Sequence, residues 1–214
     1  MLAAYPLTLR KDVKTVLGII PPSSACFNDT HSRCVRLGAE TVRIPYRIYS
    51  DEPDSKRIEG LTDTQKAILT TLYTRHANGF IREKWLAEIP ADAAWQAPFV
   101  ALLIGEYVAE IAERIYTTPR FDKDFFNSFV LENKALCSRI TAQVITYWDL
   151  FYSGAKSILV EDPITALVGT PQYTKIKQPP ELPLFRYSGY LAAEKCGIWI
   201  GRTPRKKRYK PAVL

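Results

Sequence analysis

Thr62-Asp63-Thr64-Gln65-Lys66-Ala67-Ile68-Leu69-Thr70-Thr71-Leu72-Tyr73-Thr74-Arg75-His76-Ala77-Asn78-Gly79 is the stretch on which the fold turns. Its opening Thr-x-x-Gln is a capping box, in which the threonine hydroxyl accepts from the third helical N–H while the glutamine side chain reaches back to the cap. Ile68, Leu69, Leu72, Tyr73 and His76 then share one arc of a helix, with Lys66, Thr70, Thr71, Thr74 and Arg75 on the other side. The pattern predicts a helix that starts at Thr62 and stops at Asn78-Gly79, residues that tolerate a left-handed turn.

Working outward, Ile81, Trp85 and Ile89 recur every four residues and predict a short second helix ending before Pro90. A third is predicted from Pro98 to Thr117. Its first half, Phe99 to Ile104, is apolar on every side and must be surrounded by protein. Its second half places Tyr107, Val108, Ile111 and Ile115 on one arc and Glu106, Glu110 and Glu113 on another, with an i,i+4 pair expected between Glu110 and Arg114. Ala101, Gly105, Ala109 and Ala112 form a stripe of small residues where another helix can approach closely. Phe121 to Leu131 and a long segment from an Asn133 cap to Tyr152 complete the set; in the latter Leu136, Cys137, Ile140, Val144, Tyr147, Trp148 and Phe151 face inward.

The fold class expected is mainly α: a compact bundle of four to five helices over about 62–152, with a small N-terminal β element and an irregular Pro-rich C-terminal arm. The corresponding division is 1–60, a β-containing segment packed on the body; 61–153, the helical core; and 154–214, an extended arm ending in a basic tail, 202–214. Strands are expected at Val13 to Ile20 and Glu40 to Tyr49. In the latter, Val42, Ile44, Tyr46 and Ile48 alternate with polar or solvent-side residues, and Pro45 requires an edge or a bend. Beyond Ser153 helical periodicity lapses, Gln178 to Pro183 should be extended, and Cys196 to Ile200 should anchor the arm, as a strand.

Composition sets the outer limits. The chain has 214 residues, 47 % hydrophobic and 24 % charged, which excludes global disorder. No apolar run is long enough for a spanning helix, and the opening Met1-Leu2-Ala3-Ala4-Tyr5-Pro6 lacks the basic leader and length of a secretory signal, so a soluble cytoplasmic protein is expected. The formal net charge is +7. Arg202, Arg205, Lys206, Lys207, Arg208 and Lys210 supply most of it, leaving a nearly neutral body.

That tail is the candidate for nucleic-acid contact: several cations neutralising phosphates give salt-sensitive affinity, and Tyr209 can stack on a base. Solvated tails of the same composition also occur without a ligand. Cys26, His31 and Cys34 are metal-capable, with Cys196 as a distant fourth ligand, although their spacing matches no standard zinc motif. A free-thiol loop is the plainer expectation. His76 with Glu83 or Glu106 is the candidate acid–base set, against a structural role for a histidine at a helix end. Walker, Gly-x-Gly-x-x-Gly, Gly-x-Ser-x-Gly, His-Glu-x-x-His and Cys-x-x-Cys motifs are absent, and no cofactor is expected.

The sequence therefore points to a non-enzymatic macromolecule-binding protein whose partner is another protein, met through the helical surface and the Pro-rich arm. The alternative is nucleic-acid binding through residues 202–214. The third is an enzyme with a pocket around His76. Oligomeric state is left open.

Overall fold

The computed structural model describes residues 1–22, 31–151 and 188–198. They are mostly helical, with a two-stranded sheet. Tyr5 anchors the amino-terminal end: its phenol donates to Ile68 O at 3.0 Å and its ring stacks on Phe99 at 5.2 Å. Arg10–Ile19 is a helix, α1, where a strand was expected. Val13 and Val16 are buried and Leu17 half-buried, a helical spacing that overrides the β preference of the two valines. Asp12 in its first turn accepts from Gln65 Nε2 at 2.9 Å, joining α1 to the helix it packs on.

The sheet is an antiparallel hairpin of β1 (Arg33–Leu37) and β2 (Glu40–Ile44), with Leu37 opposite Glu40. A two-residue turn of this kind needs a positive φ, and Gly38 supplies it at +59°. Val35, Val42 and Ile44 face the core. Pro45 ends β2, as its missing N–H requires. The expected strand is therefore shorter than Glu40 to Tyr49: past Pro45, Tyr46 is exposed, and only Ile48 regains pairing, through a parallel bridge to His76.

After the short α2 (Ser55–Glu59) comes α3 (Asp63–Tyr73), whose capping box forms as expected: Gln65 N–H to Thr62 Oγ1 at 3.3 Å and Thr62 N–H to Gln65 Oε1 at 3.2 Å. Ala67 through Tyr73 are all buried. Thr70, Thr71 and Thr74, expected on the solvent side, are enclosed with their hydroxyls donating to carbonyls one turn back. The helix ends at Tyr73, before Asn78-Gly79. Asn78 instead starts α4 (Gly79–Ala87), its Oδ1 accepting from Phe80 N–H at 2.9 Å.

The predicted helix from Pro98 to Thr117 is two helices, α5 (Ala97–Ile104) and α6 (Ala109–Thr117), interrupted at residues 105–108. The interruption lies where α5 meets α8 (Lys134–Phe151): a Cβ on Gly105 would stand 2.7 Å from Gln143 Oε1. The small-residue stripe thus does admit a close approach, at Gly105. α5 is enclosed, as its apolar run requires. Between α6 and α8, α7 (Lys123–Glu132) is capped by Asp122, whose side chain accepts from Phe125 N–H. The stretch from Asp63 to Phe151 therefore holds six α-helices, not four or five.

Asn133 precedes α8 but points its side chain elsewhere, to Arg36 of β1. Cys137, Ile140 and Val144 of α8 are buried as expected. One segment of the arm is helical: α9 (Ser188–Lys195) packs on α6 and α8 and ends in a left-handed turn at Gly197, φ +68°. Ile198 N–H returns to Ala193 O, the Schellman closure, so Cys196 to Ile198 form a helix end and not a strand. Lys195 donates to the carbonyls of Ile115, Tyr116 and Thr118, closing the end of α6. Trp148 and Phe151 side chains, the Gln178 to Pro183 run and residues 202–214 lie outside the described residues. Among the described residues no helix is long and apolar enough to cross a membrane.

Candidate functional site

Four segments of the chain meet at Glu106. The break between α5 and α6 turns its carboxylate inward, where three guanidinium groups converge on it. Arg47, just past β2, places Nη1 2.9 Å from Oε1; Arg75, just past α3, places Nη1 3.4 Å from the same oxygen; Arg82 of α4 places Nε 2.8 Å from Oε2. Side-chain exposure is 13 %, 3 % and 1 % for the arginines and 7 % for the glutamate. The Arg82 contact is an ion pair without hydrogen-bond alignment.

Backbone carbonyls satisfy much of the remaining donor capacity. Arg75 donates to Pro45 O at 3.3 Å and Tyr46 O at 2.9 Å; Arg82 Nη1 donates to His76 O and Ala77 O, both at 2.8 Å; Arg47 Nη1 donates to Tyr46 O at 2.9 Å. Carbonyl dipoles orient a guanidinium but do not cancel its charge. Three cations against one carboxylate leave a net charge of two positive units. Burial, opposed by Glu106 and reinforced by Arg47 and Arg82, pushes the Arg75 pKa down to about 10, so it stays cationic at neutral pH.

Arg47, Arg75 and Glu106 of this knot line an open cleft of about 100 Å³, with Arg82 outside its lining. A single water needs roughly 10–15 Å³ on the same measure, so a small polyatomic ion has room. Arg33 of β1 and Gln143 of α8 stand in its wall, and Tyr46, Tyr107 and Tyr147 form its rim. Arg33 is half-buried and has no side-chain partner among the described residues. Arg47 lies over the Tyr46 ring at 4.6 Å, and Tyr107 meets Tyr147 edge-on at 6.2 Å. Tyr46 is 45 % and Tyr107 59 % exposed. Burial first, and then the Tyr46 hydroxyl and the Glu106 carboxylate, raise the Tyr147 pKa, so its phenol remains a donor at neutral pH. The ensemble offers guanidiniums to an anion and ring faces to a planar group.

Of the residues singled out from the sequence, Glu106 is at the centre, but as the counter-ion of three arginines. His76 is beside the knot, and only its carbonyl joins it. Its ring stacks on Tyr73 at 6.1 Å and its Nδ1 accepts from Asn78 N–H at 3.0 Å. Glu83 lies apart, paired with Arg114 at 2.9 Å, so Arg114 takes Glu83 and not the expected Glu110. The break at residues 105–108 also removes Glu106 from any face shared with Glu110 and Glu113.

Cys34 is exposed on β1 opposite Arg43, and His31 is exposed beside Tyr46. Cys196 is enclosed, its Sγ 3.8 Å from Phe121 O. No group of three or more metal-capable side chains occurs among the described residues. Cys26 and the basic run Arg202, Arg205, Lys206, Lys207, Arg208, Tyr209 and Lys210 lie outside them.

The sequence reading missed Arg33, Arg47, Arg82 and Gln143 as site residues. One signal was available: Arg82 stands one turn from Trp85 and Leu86 and two from Ile89, on the buried arc of α4. A charge on an apolar arc implies a buried partner. Compared with known proteins, the chain matches no family model, no curated protein and no solved structure.

Proposed function

We propose that this chain is a non-enzymatic macromolecule-binding protein, and that the arginine cleft is where it grips an anionic group of its partner. The observation that carries this is the cationic excess of the knot beneath an open, tyrosine-rimmed cleft. Guanidiniums bind phosphate or carboxylate through charge-assisted hydrogen bonds, and they do so best where water is partly excluded. Binding is favoured over catalysis because the lining contains no Cys, Ser, Thr, Lys or His, and its one carboxylate, Glu106, is engaged by three guanidiniums. An enzymatic centre at His76 has less in its favour, since the ring's Nδ1 lone pair is committed to Asn78. Cytoplasmic residence is part of the same proposal, supported by the free thiols of Cys34, Cys137 and Cys196.

Inorganic phosphate is the probe. At constant ionic strength it should raise the thermal midpoint of the full chain in a saturable manner, as any ligand of the folded state does. Arg33→Ala should abolish that rise while moving the midpoint of the free protein little. Equal midpoints in phosphate and chloride would remove the anion site.

A second reading, contact with another protein through the helical surface, is supported by Phe80, whose ring is 83 % exposed at the start of α4. Aromatic rings are enriched at protein interfaces relative to the rest of the surface.

A further inference from the structure

We propose that the anion held in the cleft is a backbone phosphate of single-stranded nucleic acid, with neighbouring bases stacked on Tyr46 and Tyr107. This rests on the anion-binding reading above and names its ligand. The size of the cleft is the first argument. About 100 Å³ admits a phosphate group but leaves whatever carries it at the mouth, among the rings.

The rim is the second. Tyr46 and Tyr107 hold large ring areas in water, 45 % and 59 % exposed, although each has an apolar face that burial would favour. They come from different elements, Tyr46 with Arg47 lying over it, and Tyr107 set edge-on against Tyr147. A phosphodiester has a nucleoside on each side, so one phosphate in the cleft brings two bases to two rings. Every base has a π-face, so such stacking is tolerant of sequence. Gln143 in the wall adds an amide that can donate to and accept from a base edge.

Charge is the third. The chain carries +7 overall, and six cations without an acid occupy residues 202–214, so the long-range field favours a polyanion. A phosphoserine peptide shares the phosphate but brings no planar group obliged to sit beside it. A duplex keeps its bases stacked inside and presents none to the tyrosines.

Fluorescence anisotropy of the full chain with a labelled ten-nucleotide oligothymidylate tests this, beside an abasic oligomer of the same length, a ten-base-pair duplex and a phosphoserine peptide. The single strand should bind at least tenfold more tightly than the abasic strand. Tyr107→Ala should lose about that factor for the single strand and nothing for the abasic one, while Tyr107→Phe keeps wild-type affinity because the ring remains. Arg33→Ala should weaken both strands.

Equal affinity for abasic and normal strands, or an unaffected Tyr107→Ala, overturns the stacking proposal, as does tighter binding of the phosphoserine peptide or of the duplex. In each of those cases saturable, Arg33-dependent stabilisation by inorganic phosphate would leave the anion site standing. Strand binding indifferent to Arg33, Tyr46 and Tyr107 alike would assign it to the basic tail and overturn the proposal for the cleft.

Discussion

Two polar joints tie the β-hairpin to the helices, and they are built on opposite principles. At one, Asn133 clasps β1: its Oδ1 accepts from Arg36 N–H at 2.8 Å and its Nδ2 donates to Arg36 O at 2.9 Å and Phe129 O at 2.9 Å. The amide takes the place of a third strand, its donors and acceptors match, and it carries no charge itself; beside it the Glu132 carboxylate accepts from Gly38 N–H at 2.8 Å. At the other, the chain leaving β2 is held through Arg47 and Arg75 on Glu106, with Arg82 behind. There the hydrogen bonds are largely satisfied and the charge is not. Architecture needs only the first kind of joint. The second keeps two positive units next to an opening, a cost that an incoming anion relieves.

Removing the centre of each joint separates the two principles. Glu106→Gln leaves three buried guanidiniums with no counter-charge, and breaking a buried pair from one side typically costs about 3–5 kcal/mol. Urea denaturation should show that loss, and phosphate should restore part of it, because an external anion then does the work of the carboxylate. A cost below about 1 kcal/mol would mean that the carbonyls of Pro45, Tyr46, His76 and Ala77 suffice, and that the charge excess is not felt. Asn133→Ala removes neutral hydrogen bonds from a partly buried strand and should cost about 1–3 kcal/mol in the same measurement. Phosphate should restore none of it.

The same contrast explains what the sequence made legible. The capping box at Thr62 and Gln65, the enclosed α5 and the inward Cys137 are local patterns, decided within a turn or two of chain. Asn133 was legible as a helix-boundary residue but not as a clasp, because Arg36 is remote in sequence. The break after Ile104 was hidden for a related reason: the apolar period runs on through Val108 and Ile111, and what interrupts the helix is the contact of Gly105 with Gln143 and the pull of arginines from three other segments. Arginines by default read as solvated, so Arg33 and Arg47 carried no sign of a cleft. Val13 to Ile20 was misread because β-branched composition was weighed above the 13, 16, 17 spacing. α9 escaped notice because eight residues among prolines show little periodicity; its buried face is chiefly Ala192 and Ala193, which pack on other helices.

The smallest expected effect concerns His76, which touches the charged joint through its carbonyl alone. Burial is the main cause that lowers its pKa; the nearby Glu52 carboxylate opposes the shift and the Arg82 cation adds to it. The folded state thus prefers the neutral ring, whereas the unfolded chain takes up a proton near the ordinary value of about 6.5. The stabilisation held in this preference is complete above that value and declines as pH falls through it toward the lowered native one. Ordinary carboxylates have reference values about two units lower than histidine. Chemical denaturation at pH 7.5 and 5.5 should show a loss of stability in the wild type that is smaller in His76→Gln, where nothing titrates at that position. Equal losses in the two proteins would mean that the imidazolium is tolerated where the neutral ring stacks on Tyr73. The cationic excess of the knot would then stop at the Arg82 side chain, and the comparison of the two joints would concern the arginines and Glu106 alone.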